Sequence, residues 1–348
     1  MYLRSLATAT PGHSFTQPEC MALIQSSPET LARLDRRSRL TLRAILLGNS
    51  GIGARQFAVH DAEKLFCLDA DGLNAEFRTA APRLAGKALQ EALQQAGLCA
   101  GNLDALIVTT CTGYLCPGVS SYVAESLGLR ADAWLQDIVG LGCGAAIPSL
   151  RAASSIVSAE PDRLVACVSV EICSAAFYLD NDPGVLVSAC LFGDGAAASI
   201  WSGRPDKALL RCHSFSSLHQ PEHRDLIRFE QRDGKLRNLL HPSVPQLAAD
   251  AVGTLYREAQ HSSPAPIGKI LSHAGGRDVI EAVEEKLTGT RLAETREVLR
   301  RHGNMSSPSV LFALKEALGQ GSPEAGNDWW MVSFGAGFSA YACRVSCD

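Results

Sequence analysis

Three short runs constrain this chain most, because each is apolar almost throughout: residues 105–111 (ALIVTTC), 163–170 (RLVACVSV) and 196–201 (AAASIW). A strand with one wet face alternates apolar and polar residues, so an unbroken run reads as a strand covered on both faces. Stretches with helical spacing lie between and around these runs. Residues 84–96 (LAGKALQEALQQA) carry apolar positions three and four apart and stop at Gly97, a residue suited to a left-handed C-terminal cap. Residues 119–127 and 145–157 have the same character. Strands alternating with helices predict an α/β protein around a mostly parallel sheet.

The rhythm recurs after the turn at Gly203-Arg204-Pro205-Asp206. Residues 208–215, 269–273 and 330–334 read as strands, and residues 243–260, 277–286 and 306–318 as helices. The recurrence suggests a duplicated architecture, divided into residues 1–205 and 206–348. Residues 221–245 are rich in charge and poor in periodicity, and read as a loop over the surface or the site.

With 348 residues, 46% of them hydrophobic, the chain can bury a large core in two domains or one duplicated unit. The net charge of −4 leaves no basic footprint for nucleic acid or an anionic membrane. No apolar run approaches the roughly 20 residues that span a bilayer, and the N-terminal residues have no signal-peptide pattern. A soluble, cytoplasmic protein without stable membrane insertion is expected. The twelve cysteines are scattered, with no C-x-x-C and no zinc-like spacing. Most read as buried, reduced thiols, of which one or two are chemically special.

The first candidate is Cys143, between Gly142 and Gly144 ahead of an Ala-rich helix. Glycines permit a sharp turn and leave room for a thioester beside the sulfur. A helix N-terminus and a nearby imidazole would lower the thiol pKa from about 8.5 toward neutrality. The second candidate is His273, which a strand delivers to the Gly-rich turn Ala274-Gly275-Gly276. The third is Asn304 in His302-Gly303-Asn304-Met305-Ser306-Ser307-Pro308, just before another helix. Taken singly, each has a structural reading: a buried cysteine, a hydrogen-bonded histidine at a strand end, a turn asparagine.

Together the three motifs resemble the Cys–His–Asn set of type III polyketide synthases, the relatives of chalcone and stilbene synthases. Phe192 in Leu191-Phe192-Gly193-Asp194-Gly195 matches the first gatekeeper phenylalanine of that family. Phe334 lies in Ser333-Phe334-Gly335-Ala336-Gly337-Phe338, similar to the family's Gly-Phe-Gly-Pro-Gly loop. Ser50-Gly51-Ile52 followed by Arg55 resembles an early motif. The likeness runs in order from about residue 50 to the C-terminus.

The resemblance implies a thiolase-like fold, a duplicated αβαβα arrangement of five layers. It also implies a homodimer that takes acyl-CoA and malonyl-CoA directly, with coenzyme A thioesters as substrates and no cofactor. Cys143 would carry the acyl chain as a thioester. His273 and Asn304 would supply hydrogen-bond donors to the enolate left when malonyl-CoA loses CO2, without adding a base that quenches it. Phe192 would wall the CoA tunnel from the growing-chain cavity.

Family cavity positions fall on Cys111, Thr112, Cys173, Ala176 and Ser306, all small. Cys116 matches the residue that reaches into the partner's cavity. Of the residues that meet the CoA phosphates, Arg55 fits. Arg36, Arg37, Arg39 and Arg43 form a basic run that could serve, though a solvated helix face is the better reading. A second gatekeeper is expected near Arg237-Asn238-Leu239-Leu240, where no aromatic stands. Small linings and a missing gate predict a roomy cavity, medium or long fatty acyl-CoA starters, and alkylpyrone or alkylresorcinol products. Two rivals share the motifs: a ketoacyl-acyl carrier protein synthase that starts fatty acid synthesis, and a non-catalytic thiolase-fold partner protein. A cysteine protease has the same residue order but unsuitable surroundings.

Overall fold

The computed structural model describes residues 1–347 apart from residues 60, 62 and 63. From the N-terminus run β1 (Tyr2–Ala9), β2 (His13–Thr16), α1 (Gln17–Gln25), α2 (Pro28–Arg33), α3 (Arg36–Leu46) and β3 (Ala54–Phe57). Polar side chains start all three helices: Thr16, Ser27 and Asp35 accept from backbone N–H groups in the first turns of α1, α2 and α3. Next come α4 (Ala70–Ala96), β4 (Ala105–Thr109), α5 (Val119–Leu127), β5 (Trp134–Ile138), α6 (Ala146–Ala159), β6 (Leu164–Glu171), α7 (Pro183–Leu191) and β7 (Gly195–Ser202). The α4 helix ends at Gly97, which is left-handed with φ 68°. The remainder comprises β8 (Leu210–Arg224), β9 (Ile227–Arg232), β10 (Lys235–Leu240), α8 (Val244–Ser262), β11 (Ile267–Ser272), α9 (Arg277–Lys286), α10 (Ala293–His302), α11 (Ser309–Gln320), β12 (Asp328–Gly335) and β13 (Gly337–Ser346).

One large sheet has the order β11-β12-β13-β8-β1-β7-β6-β4-β5. Its strands repeat about the β1–β8 seam. On one side β1 pairs antiparallel with β7, β7 antiparallel with β6, and β6 parallel with β4. On the other, β8 pairs antiparallel with β13, β13 antiparallel with β12, and β12 parallel with β11. The outermost strand, β5, adds to the first side by pairing parallel with β4. Helices α4 and α5 cover the outer face of the first side, and α8, with α9 packed on it, that of the second. Between the two, α6 touches β4, β6, β12 and β13, while α11 touches β1, β11 and β12. The result is five layers of the thiolase-like kind.

Three expectations change. The sheet is mixed rather than mostly parallel, because β1, β8 and β13 insert antiparallel at its centre. Residues 221–245 are not a loop: β8 runs on to Arg224, and β9 and β10 form an antiparallel hairpin with Phe229 opposite Asn238. Helix α11 starts three residues later than expected, because Ser306 has a left-handed backbone with φ 58°.

Candidate active site

The three motif residues lie at element ends that face one cavity of about 520 Å³. Cys143 occupies a 3-10 turn (Gly142–Gly144) between β5 and α6. His273 follows β11 directly, and Asn304 stands in the connection from α10 to α11. The turn at Cys143 is pressed against β12. A Cβ on Gly335 would sit 2.7 Å from the Gly144 nitrogen and 2.9 Å from the Cys143 nitrogen, so only glycine fits there.

Burial dominates the electrostatics. The Cys143 thiol is pushed up to about 12, chiefly by desolvation. The lowering expected from a helix end and an imidazole is therefore overturned. The side-chain partner of Cys143 Sγ is Ser306, whose hydroxyl donates to it at 3.2 Å. The Ser306 hydroxyl also meets Cys111 Sγ at 3.2 Å. The Cys111 thiol in turn donates to the buried Glu171 carboxylate at 3.3 Å. Glu171 is held further by the Ser307 hydroxyl at 2.6 Å and the Thr112 hydroxyl at 2.9 Å.

Desolvation also depresses His273 to about 3, so its ring is neutral and carries one proton. Its Nδ1 is buried without a partner. A bare ring nitrogen tolerates that better than an orphaned N–H, which favours the proton on Nε2. The edge of the ring meets Phe334 at 5.3 Å between centroids. Asn304 is fixed at both ends of its amide: Oδ1 accepts from the Ser306 N–H at 2.8 Å, and Nδ2 donates to the Gly275 carbonyl at 3.1 Å. Nδ2 keeps a second hydrogen.

Phe192 caps the end of α7 and borders both the reaction cavity and a smaller space beyond it. Its backbone is bridged to that of Asn304: the Asn304 N–H donates to the Leu191 carbonyl at 2.9 Å, and the Gly193 N–H to the Asn304 carbonyl at 3.0 Å. Thr112, Cys173, Ala176 and Ser306 line the smaller space as expected, but it is not roomy. Phe177, Tyr178, Phe192 and Phe229 close it to about 30 Å³, enough for a water or two.

The second aromatic wall is present and comes from Phe229 on β9, opposite Asn238 on β10. Phe229 borders the reaction cavity, the small space, and a third cavity of about 940 Å³ that Cys111 and Thr112 also line. Reading along one strand missed it, because the hairpin register brings it there.

One further expectation fails to meet its site. Arg55 is fully buried and cannot reach a CoA phosphate. Its guanidinium donates to Gln17 Oε1 at 3.0 Å and to the carbonyls of Ala189 and Phe192 at 2.7 and 2.8 Å, and lies over the Phe57 ring. It thus caps the C-terminal end of α7 and braces the gate. Cys116 is exposed and lines none of these three cavities of its own chain.

Comparison with known proteins follows the same lines. A family model described as FAE1/type III polyketide synthase-like protein matches residues 14–218. One described as the C-terminal part of 3-oxoacyl-[acyl-carrier-protein] synthase III matches residues 258–347. The chain is 30% identical to the 3,5-dihydroxyphenylacetyl-CoA synthase of Streptomyces toyocaensis over 312 residues, 85% of this chain and 80% of that one. It is 29% identical to the 1,3,6,8-tetrahydroxynaphthalene synthase of Streptomyces peucetius subsp. caesius, covering 96% and 89% of the two chains. The crystal structure of 1,3,6,8-tetrahydroxynaphthalene synthase from Streptomyces coelicolor A3(2) has the same fold, with a TM-score of 0.90 at 24% identity over 99% of both chains.

Proposed function

The chain belongs to the FAE1/type III polyketide synthase-like family, and on that premise we propose that it condenses malonyl units on Cys143, with His273 and Asn304 as the enolate's donors. It is an acyltransferase of the polyketide synthase kind. The convergence of these three residues on one desolvated cavity carries the residue roles.

The chemistry runs as follows. Cys143 meets a CoA thioester as a neutral thiol. The Ser306 hydroxyl donates to the sulfur as the thiol proton leaves with the departing CoA thiolate, and the acyl group stays on Cys143. Malonyl-CoA then loses CO2 in a cavity walled by Phe192 and Phe334. The new enolate oxygen takes hydrogen bonds from His273 Nε2–H and the free hydrogen of Asn304 Nδ2. Both donors are neutral, so neither protonates the carbanion before it attacks the Cys143 thioester. This sequence calls for no metal or prosthetic group.

The small space behind Phe192 supports a compact group at that end of the site, beside the larger cavity that Cys111, Thr112 and Ala176 line. The relatives' names point the same way, to a dihydroxyphenylacetyl thioester and a tetrahydroxynaphthalene. The reading is therefore a polyhydroxylated aromatic assembled from malonyl-CoA. A homodimer is part of the same reading. Trp134, Leu135 and Val139 on and after edge strand β5, with Tyr114 nearby in sequence to Cys116, leave an apolar surface exposed for a second copy. Among the described residues no helix is long and apolar enough to cross a membrane, in keeping with a cytoplasmic location.

Incubation with malonyl-CoA alone, and with acyl-CoAs of two to sixteen carbons, tests the reading by mass spectrometry. Expected are products from malonyl-CoA alone and none from Cys143→Ala. A marked preference for ten- to sixteen-carbon starters would restore the alkyl reading, and wild-type turnover by Cys143→Ala would remove the nucleophile.

A further inference from the structure

Two spaces meet at the gate, and the partition between them is built from Phe192, Phe229 and Asn238. These residues border the reaction cavity on one side and the smaller space of about 30 Å³ on the other. Two of them are aromatic walls. The third is polar and only 5% exposed, and its Oδ1 is buried with no donor among the described residues. A buried acceptor without a donor is costly and rare in folded proteins, so this one points to a donor that arrives with a ligand.

The orientation of the amide is set by its neighbours. Asn238 Nδ2 donates to the Ser188 hydroxyl at 2.8 Å, and that hydroxyl spends its one proton on the Gly184 carbonyl at 2.7 Å. A turned amide would set Oδ1 against an oxygen with no proton to give. Ser188 lies on α7, so this helix holds the side chain while the β9–β10 register holds the backbone opposite Phe229. The partition therefore offers a fixed hydrogen-bond acceptor between two apolar rings.

We propose that Asn238 Oδ1 accepts a hydrogen bond from an enol hydroxyl of the growing chain, and so decides whether that chain closes to a carbocyclic ring or escapes as a lactone. The proposal rests on the reading of Cys143 as the carrier of a malonyl-derived chain. The carbonyl oxygens of such a chain only accept, but each condensation leaves a 1,3-dicarbonyl unit whose enol form carries an O–H. The space of about 30 Å³ behind the partition admits a hydroxyl and no ring. Lactone escape needs the same hydroxyl. Its oxygen attacks the Cys143 thioester, a C–O bond forms, the C–S bond breaks, and the enol proton ends on Cys143 Sγ. A hydroxyl held on Asn238 is drawn away from the thioester, and the chain survives for further extension and closure through carbon.

The test incubates wild type, Asn238→Leu and Ser188→Ala with malonyl-CoA. It reads Cys143 acylation by intact-protein mass, products by chromatography with mass spectrometry, and Tm. Asn238→Leu keeps the side-chain size and removes the acceptor. It is expected to lower the ratio of aromatic product to pyrone about tenfold while slowing acylation by less than about twofold, as fits the loss of one hydrogen bond to the chain. Its Tm should be equal or higher, because an orphaned buried acceptor is gone. Ser188→Ala keeps Asn238 but releases Nδ2, so the amide can turn and the ratio should fall about threefold. An unchanged ratio in Asn238→Leu overturns the proposal. So does acylation slowed as much as product formation, which would put the acceptor on the pantetheine amide N–H. A lowered Tm with all products reduced in parallel would make Asn238 a prop of the hairpin, and overturns it too. Absence of product from wild type would instead sink the condensing function itself.

Discussion

In the free enzyme the Cys143 thiol, pushed up to about 12 by burial, keeps its proton across the physiological range, so its reactivity has to arrive with the substrate. Below that value the thiolate fraction grows about tenfold per pH unit. Iodoacetamide labelling of Cys143, followed by peptide mass spectrometry, should therefore accelerate from pH 7 to 10 without a plateau. The exposed thiols of Cys99 and Cys116 should label first at pH 7. A plateau near pH 7 would show a preformed thiolate and reverse the account. The three motif residues were legible in the sequence because glycines and a fixed order mark them. Arg55 was misread for a physical reason: a motif records that a guanidinium is present but not whether it faces water. Here the guanidinium turns inward, onto the carbonyls that end α7.

The β9–β10 hairpin shows the same limit for an element. Charges at Arg228, Glu230 and Arg237 made the segment look like a solvated loop, yet Arg228 and Arg237 both pair with Glu230, and Arg237 also meets Asp182. They are neighbours within and across the hairpin, a pattern visible only once the register is known. The register also decides where Phe229 falls. Phe229→Ala should open the 30 Å³ space to both larger cavities. The expected outcome is a product mass increased by one or more malonyl-derived units, with stability lowered by less than the about 3–5 kcal/mol typical of a fully buried Phe. An unchanged product spectrum would mean that Phe229 bounds no part of the chain's path. The buried runs that became β4, β6 and β7 were readable because covering both faces leaves an unbroken apolar signal. By contrast β1 and β13 carry polar residues that pack inside a mixed sheet, and their sequences hid them.

For the whole molecule, edge strand β5 is the exposed end of the large sheet, with Trp134 64% and Tyr114 71% exposed nearby. Open edges with apolar side chains invite pairing. Trp134→Glu with Leu135→Lys should shift the protein to monomer in sedimentation velocity and reduce product formation. A monomeric wild type would end that reading. The internal repeat was legible as a rhythm of strands and helices; the seam was not, because it depends on β1. That strand, residues 2–9, pairs with residues 196–202 on one side and with residues 210 and 211 on the other. A ribosome adding 5–20 residues per second needs roughly 10–40 s between making β1 and making its partners. During synthesis the strand destined for the middle of the sheet therefore waits unpaired outside the tunnel, where nascent-chain chaperones can reach it, and the two halves can join only late in translation.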